Sequence, residues 1–357
     1  MALHPLKLPP RTAGYLFRVI VLQRNLLQAL ADPLLNADAV DVAWVQNVWR
    51  RLDPEWVRKF CLGGQAGRIR AIAAATAPAR RALYEEFCRQ NKVHRVLQGG
   101  GDFRDLATLP DFNPVLVAQV KKFFIDCYEV LGQSSRGRGH ALPGGRVITK
   151  LKYSESFRES FPTKVVCPYC DGAIETADLD HYYSKSLFPL LACAPWNLVP
   201  VCKSCNDAAT AKGNRPALAL GPPCSAADWL HPFFRAASSQ VQIKLSGTPR
   251  GSIPQLHSPD AAEQTRLDNH TGLIRTLSTR WTNAAATYFD NLVLQANRRV
   301  TLTNSIEDFI KMRLEDHCHE RGRTASSMVH SAVCRAVLDK RSEYLEEFAN
   351  PNAPRLV

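Results

Sequence analysis

The chain is predicted to be α+β: mainly α, with one small central ββα module closed by a metal. Three observations carry this. Apolar residues recur at helical spacing through most of residues 1–131 and again from residue 260 onward. Two CxxC pairs, Cys167–Cys170 and Cys202–Cys205, stand apart in the middle of the chain, and four thiolates at such spacing complete a tetrahedral zinc shell. Between the pairs, short apolar runs of β character flank an Asp-His dipeptide.

In chain order, Tyr15 to Leu30 is amphipathic and stops at Asp32-Pro33. Val40 to Leu52 follows, with Trp44, Val48 and Trp49 on related faces. Pro54 and Pro78 stand where a first helical turn tolerates proline, and Asn113-Pro114 opens an apolar helix to Leu131. These stripes are read as core. Residues 132–149 are rich in Gly, Ser and Arg and read as a linker. A short helix over 150–160 leads into the cysteine block. There, strands are expected at 176–182 and 197–201 and a helix from Lys203 to about Lys212. Two further strands, Gln240–Leu245 and Ile253–His257, are joined by a turn at Gly247–Gly251. Helix resumes to Phe348. The division is therefore a basic helical domain at 1–131, the linker at 132–149, a module with hairpin at 150–257 and a helical region at 258–357.

The charge is uneven. Net charge is +12, and residues 1–160 carry 24 Lys and Arg against 14 Asp and Glu, whereas residues 161–357 carry 21 against 19. A surplus of this size suits an anionic partner, with nucleic acid first; a solvated basic surface explains the charge alone equally well. The opening MALHPLKLPPR lacks the apolar run of a signal peptide, and no stretch has the roughly 18 apolar residues of a membrane span. Seven of the 11 cysteines (Cys61, Cys88, Cys127, Cys193, Cys224, Cys318, Cys334) have no regular spacing. A reduced, cytoplasmic protein is expected. His317-Cys318-His319 looks metal-like, but residues two apart on a helix do not share a face. Gly99–Gly101 lacks the Lys-Ser/Thr of a phosphate loop.

The central block reads Cys167-Pro-Tyr-Cys170, then Leu179-Asp180-His181-Tyr182-Tyr183-Ser184-Lys185-Ser186, then Asn197-Leu-Val-Pro-Val-Cys202-Lys203-Ser-Cys205-Asn206. It resembles the HNH, or ββα-metal, nuclease family in its zinc-knuckle form. Within that family it is most similar to a prokaryotic subgroup patterned CxYC…LDHYxPKS…P…NLVPxCxxCN. The likeness covers residues 165–213, with a weaker match at Leu230-His231-Pro232-Phe233; the helical flanks match nothing. It implies a metal-dependent endonuclease that hydrolyses phosphodiester bonds, most directly of double-stranded DNA. Cys167, Cys170, Cys202 and Cys205 would hold a structural Zn²⁺. His181 would be the general base, suited by its ordinary pKa to take a proton from water. Asp180 and Asn206 would bind a catalytic Mg²⁺ or Mn²⁺ through hard oxygens, with Asp178 as the alternative acid. Asn197 would fix the loop and orient the histidine. Lys185, Lys203 and Lys212 are the candidate phosphate contacts.

Two departures stand out: Ser184 replaces the proline of HxxPKS, and the lysine that follows CN in the family is displaced to Lys212. Asp180 and His181 are adjacent, so on a regular strand they face opposite ways unless the strand ends there. The subgroup resembles nucleases of bacterial anti-phage systems, often paired with an ATPase subunit; this chain has no Walker motif of its own. Two other classes stay open, a non-catalytic zinc-ribbon subunit that binds nucleic acid and an RNA-cleaving toxin nuclease.

If the basic surplus serves nucleic acid, affinity for duplex DNA should fall as a power of salt concentration, because each phosphate contact releases counterions. Fluorescence anisotropy across a salt series measures this. Salt-independent affinity would assign the surplus to solubility.

Overall fold

The computed structural model describes residues 3–94, 112–132, 150–159, 166–174, 177–207, 211–218, 228–299 and 305–340, with a few single positions between and beyond them. The glycine run Gly99–Gly101 and residues 133–149 of the expected linker lie outside these, as does Cys224. The chain is mainly helical. No helix among the described residues is long and apolar enough to cross a membrane.

The N-terminal helices are α1 (Pro10–Leu30), α2 (Val42–Val48), α3 (Pro54–Phe60), α4 (Ala66–Ala73), α5 (Ala77–Asn91) and α6 (Pro114–Gly132). Their starts follow the sequence signals. Asp41, Asp53, Thr76 and Asn113 each accept a backbone N–H of the first turn, a cap worth about 1 kcal/mol. α1 begins at Pro10, ahead of the apolar pattern, because proline at the first position needs no N–H partner. α2 is shorter than expected. It ends at Trp49, whose indole N–H donates to the Leu22 carbonyl at 3.0 Å and whose ring packs against Trp56 and Phe60. Along α6, Leu116, Val120, Phe123, Phe124, Cys127 and Tyr128 are buried at helical spacing.

After α7 (Lys150–Glu159), β1 (Ala177–His181) and β2 (Leu198–Cys202) pair antiparallel, with Ala177 opposite Cys202 and His181 opposite Leu198. All five residues of β2 are buried. Its faces serve two different cores: Leu198 packs with the N-terminal helices, and Val199 and Val201 pack with the C-terminal ones. That explains why Leu-Val-Pro-Val-Cys is continuously apolar rather than alternating. The helix expected from Lys203 to about Lys212 is only α8 (Lys203–Asn206). Asp207 turns extended at φ −60°, ψ 130°, and its side chain accepts the Ala209 N–H, so the chain folds back and Lys212 N–H reaches the Cys205 carbonyl.

β3 (Gln242–Lys244) and β4 (Gln255–His257) form the expected hairpin in shortened form. Four helices follow: α9 (Ala261–Leu273), α10 (Leu277–Arg299), α11 (Ile306–His319) and α12 (Ser327–Asp339). The chain's start joins this half. Leu3 N–H donates to the Pro168 carbonyl and Leu6 N–H to the Pro232 carbonyl, and both leucines are buried in the C-terminal core.

Two histidines, His270 buried and His330 half-buried, are held neutral. His270 donates from Nε2 to the Tyr169 carbonyl at 2.6 Å, and burial lowers its pKa to about 3. His330 stacks on Tyr288 at 4.0 Å, and burial, reinforced by His317, also lowers its pKa to about 3. Unfolded histidine titrates near ~6.5. Between that value and about 3 the unfolded chain therefore binds more protons, and stability falls as pH falls. His330→Gln should flatten the decline in denaturation midpoint between about pH 7 and about pH 5. An unchanged slope in urea titrations at the two pH values would show that His330 takes up its proton equally in both states.

Candidate functional site

The first CxxC knuckle is a tight turn. The N–H groups of Cys170 and Asp171 both donate to the Cys167 carbonyl, and Asp171 takes a left-handed φ of 60° to reverse the chain. The second knuckle runs from Cys202 at the end of β2 to Cys205 on α8. The four buried sulfurs lie within 4.8 Å of one another, and Cys170 Sγ is 3.7 Å from Cys202 Sγ. A tetrahedral shell with Zn–S bonds of ~2.3 Å has S···S edges of about 3.8 Å. The cluster therefore fits a single metal ion such as zinc. Backbone N–H groups of Gly172 and Cys202 point at Cys170 Sγ and Cys167 Sγ, each at 3.4 Å.

Burial pushes the Cys167 thiol well up, while hydrogen bonds from Cys167 and Cys170 pull the Cys202 thiol down. Four bare thiolates cannot coexist at this spacing without a cation. Arg280, from α10, supplies an outer one. Its Nη1 donates to Cys205 Sγ at 3.2 Å, and its Nη2 donates to Cys170 Sγ at 3.1 Å and Cys202 Sγ at 3.6 Å. A divalent ion with four thiolates keeps a net charge of −2, and the guanidinium offsets half of it.

His181 closes β1, which runs through it rather than ending before it, so Asp180 and His181 do face opposite sides. The His181 ring stands edge-on to Tyr128 of α6 at 4.5 Å, and Nε2–H donates to the Ala192 carbonyl at 3.1 Å. That hydrogen bond sets the tautomer, with the lone pair on Nδ1. Asn197 is fully buried and clamps the loop after the histidine. Its Oδ1 accepts the Tyr183 N–H at 2.7 Å, and its Nδ2 donates to the Tyr183 and Leu191 carbonyls at 3.1 and 3.0 Å. Ser184 fits the loop without the family's proline: its carbonyl accepts the N–H groups of Leu187 and Phe188, and its hydroxyl bonds that of Ser186.

Asp180 points toward the knuckles. Lys212 Nζ lies 2.9 Å from each carboxylate oxygen and 2.9 Å from the His181 carbonyl, and the Tyr169 hydroxyl donates to Oδ2 at 2.7 Å. Lys212 is 1% exposed. This corrects its expected role, because an ammonium so deeply buried cannot contact phosphate from the surface. The expected Mg²⁺ or Mn²⁺ does not fit this arrangement either. The carboxylate that should bind it already holds a cation within salt-bridge distance, and a second cation there would meet like-charge repulsion.

An open cleft of about 200 Å³ is bordered by Tyr128, Asp180, His181, Ser184, Lys185, Asn206 and Asn214, among others. Lys185 pairs with Glu129 at 3.2 Å and lies 5.2 Å from the centre of the Tyr128 ring. His181, Asp180, Asn206 and Lys185 thus all line the cleft, Asp180 and His181 from opposite faces of β1, and Asn197 is not among the lining residues. Lys203 is exposed and Asp178 lies further back on β1; neither borders the cleft. His317 is buried against the Tyr288 hydroxyl at 2.6 Å while Cys318 is exposed toward Arg335, so that triplet offers no shared ligand face.

Sequence reasoning missed Tyr128, Tyr169 and Arg280. Tyr169 had a signal, since it lies inside the first CxxC pair. Tyr128 reads as the end of a core stripe, and Arg280 lies far along the chain with no motif around it. Comparison with protein-family models, curated proteins and solved structures gives no match.

The purified chain should carry about one zinc, released by denaturation and measured by elemental analysis. Arg280→Ala should lower zinc affinity by about 10–100-fold in chelator competition, as loss of an outer-shell partner does. Unchanged affinity would reduce Arg280 to a packing contact.

Proposed function

We propose that this chain is a nuclease of the HNH type that hydrolyses phosphodiester bonds, with DNA as its first substrate and His181 as its general base. The observation that carries the reading is the hydrogen bond from His181 Nε2–H to the Ala192 carbonyl at the border of a polar cleft. It commits one ring nitrogen as donor and leaves the basic lone pair on the other. Asn197 fixes the loop that follows, and the sulfur cluster fixes the helix carrying Asn206. This division of labour matches the spacing resemblance.

In the proposed reaction, His181 Nδ1 takes a proton from a water as its oxygen attacks phosphorus. The bond from phosphorus to the 3′ oxygen breaks, charge builds on the phosphoryl oxygens and the leaving oxygen, and the leaving oxygen takes a proton from solvent water to become a hydroxyl. Lys185 at the cleft border supplies nearby positive charge, and the basic surplus before residue 160 holds the strand. No step is assigned to a divalent cation, since Lys212 occupies Asp180. Under this reading the chain serves defence against phage, where the nucleases it resembles often act beside an ATPase subunit.

A zinc-ribbon binding subunit is the second reading. The observation favouring it is that Tyr169 and Lys212 satisfy Asp180 as they would a structural acid. His181→Ala separates the two. Under the nuclease reading it should cut cleavage of supercoiled plasmid in Mg²⁺ or Mn²⁺ by about 10²–10⁴-fold, with zinc content and DNA affinity kept. Wild-type protein that binds DNA but cleaves neither DNA nor RNA would leave the binding subunit as the function.

A further inference from the structure

We infer that the ammonium of Lys212 is the resident cation of the Asp180 site, so that a divalent ion gains this carboxylate only by displacing Lys212 and the turn that carries it. The inference takes the cleft to be the nuclease site proposed above. Three oxygens surround the ammonium, two from Asp180 and one from the His181 carbonyl, each at 2.9 Å. An ammonium has three N–H groups, so its donors are matched by these acceptors. A carboxylate with an adjacent backbone carbonyl is also a donor set that a hard divalent cation uses. Ion and ammonium thus compete for the same oxygens.

The local fold shows how the lysine arrives there. α8 stops at Asn206, the chain reverses through the hydrogen bond from Ala211 N–H to the Asp207 carbonyl, and Lys212 is delivered beneath β1. Gly213 follows with a left-handed φ of 52°, which a residue with a side chain adopts only under strain. Gly213 and Asn214 border the cleft themselves, so the turn is both the carrier of the lysine and part of the wall. Beyond it, Arg215 ties the turn to α9 through the Leu273 carbonyl. Tyr169 approaches Asp180 from the knuckle, and its hydroxyl donates to Oδ2. The ammonium also neutralises the carboxylate, which removes a negative charge from beside the cleft that is to admit a phosphodiester.

The test is Mn²⁺ binding by the full-length, zinc-loaded chain, read from the electron paramagnetic resonance of free Mn²⁺ with no substrate present. Lys212→Met should bind one Mn²⁺ at least about tenfold more tightly than wild type, since a unit charge ~4 Å away is worth more than that at protein-like screening. Adding Asp180→Asn to that variant should abolish the gain. Lys212→Met binding no more tightly than wild type would overturn the inference. Should that variant fail to fold, lysine acetylation of wild type decides. Lys212 should be protected without Mn²⁺ and label several-fold faster with saturating Mn²⁺, whereas equal labelling overturns the proposal. Both readouts are independent of cleavage, so an inactive wild type would count against the nuclease reading alone.

Discussion

Two hairpin-like turns, widely separated in sequence, must place four sulfur atoms within one coordination sphere, and most of the geometry around the cleft is referred to that closure. Cys202 is the last residue of β2, so the sulfur cluster fixes the register end of the sheet whose other strand carries Asp180 and His181. Cys205 lies beside Asn206 within a one-turn helix too short to hold itself. Asp171 follows Cys170 directly. Its carboxylate accepts the N–H of Met328 at the start of α12 and the His4 ring nitrogen at 2.6 Å, which ties the knuckle to both ends of the chain. Arg280 and the indole of Trp281, which donates to the Cys170 carbonyl at 2.9 Å, add α10 to the same point. A metal held by these sulfurs would therefore contribute its binding energy to the folding of this region.

The second constraint is a buried charge. Asp180 and Lys212 are nearly inaccessible, and such a pair persists only when its remaining donors and acceptors are satisfied. Here they are, by the Tyr169 hydroxyl on one side and the His181 carbonyl on the other. The pair joins the knuckle, the end of β1 and the turn after α8 in one contact. Removing either member would strand its partner, so a defect in one of these residues would be felt across all three segments.

His181 depends on the other half of the molecule. Its ring is held by Tyr128 from α6 and by the Ala192 carbonyl, and both residues are buried in the core of the N-terminal helices. The N-terminal helices thus share a core with Leu190, Ala192, Cys193 and Leu198. The candidate base is positioned where that core meets the one around the sulfurs, with β2 between them.

The sequence by itself determined the mainly helical character of both flanks, the proline-marked helix starts and the joining of two CxxC pairs in one sulfur cluster. Each rests on local spacing: apolar residues three and four apart, proline in a first helical turn, cysteines three apart. The length of α8 was not legible, because Ala208 to Ala211 have ordinary helix propensity, whereas the helix already ends where Asp207 turns extended. The roles of Tyr128, Arg280 and Lys212 were equally hidden. A tyrosine closing an apolar stripe, an arginine in an amphipathic helix and a lysine after a turn each look like core or surface. Only tertiary structure decided them, because a buried polar group is defined by the partner that satisfies it, and those partners come from distant segments.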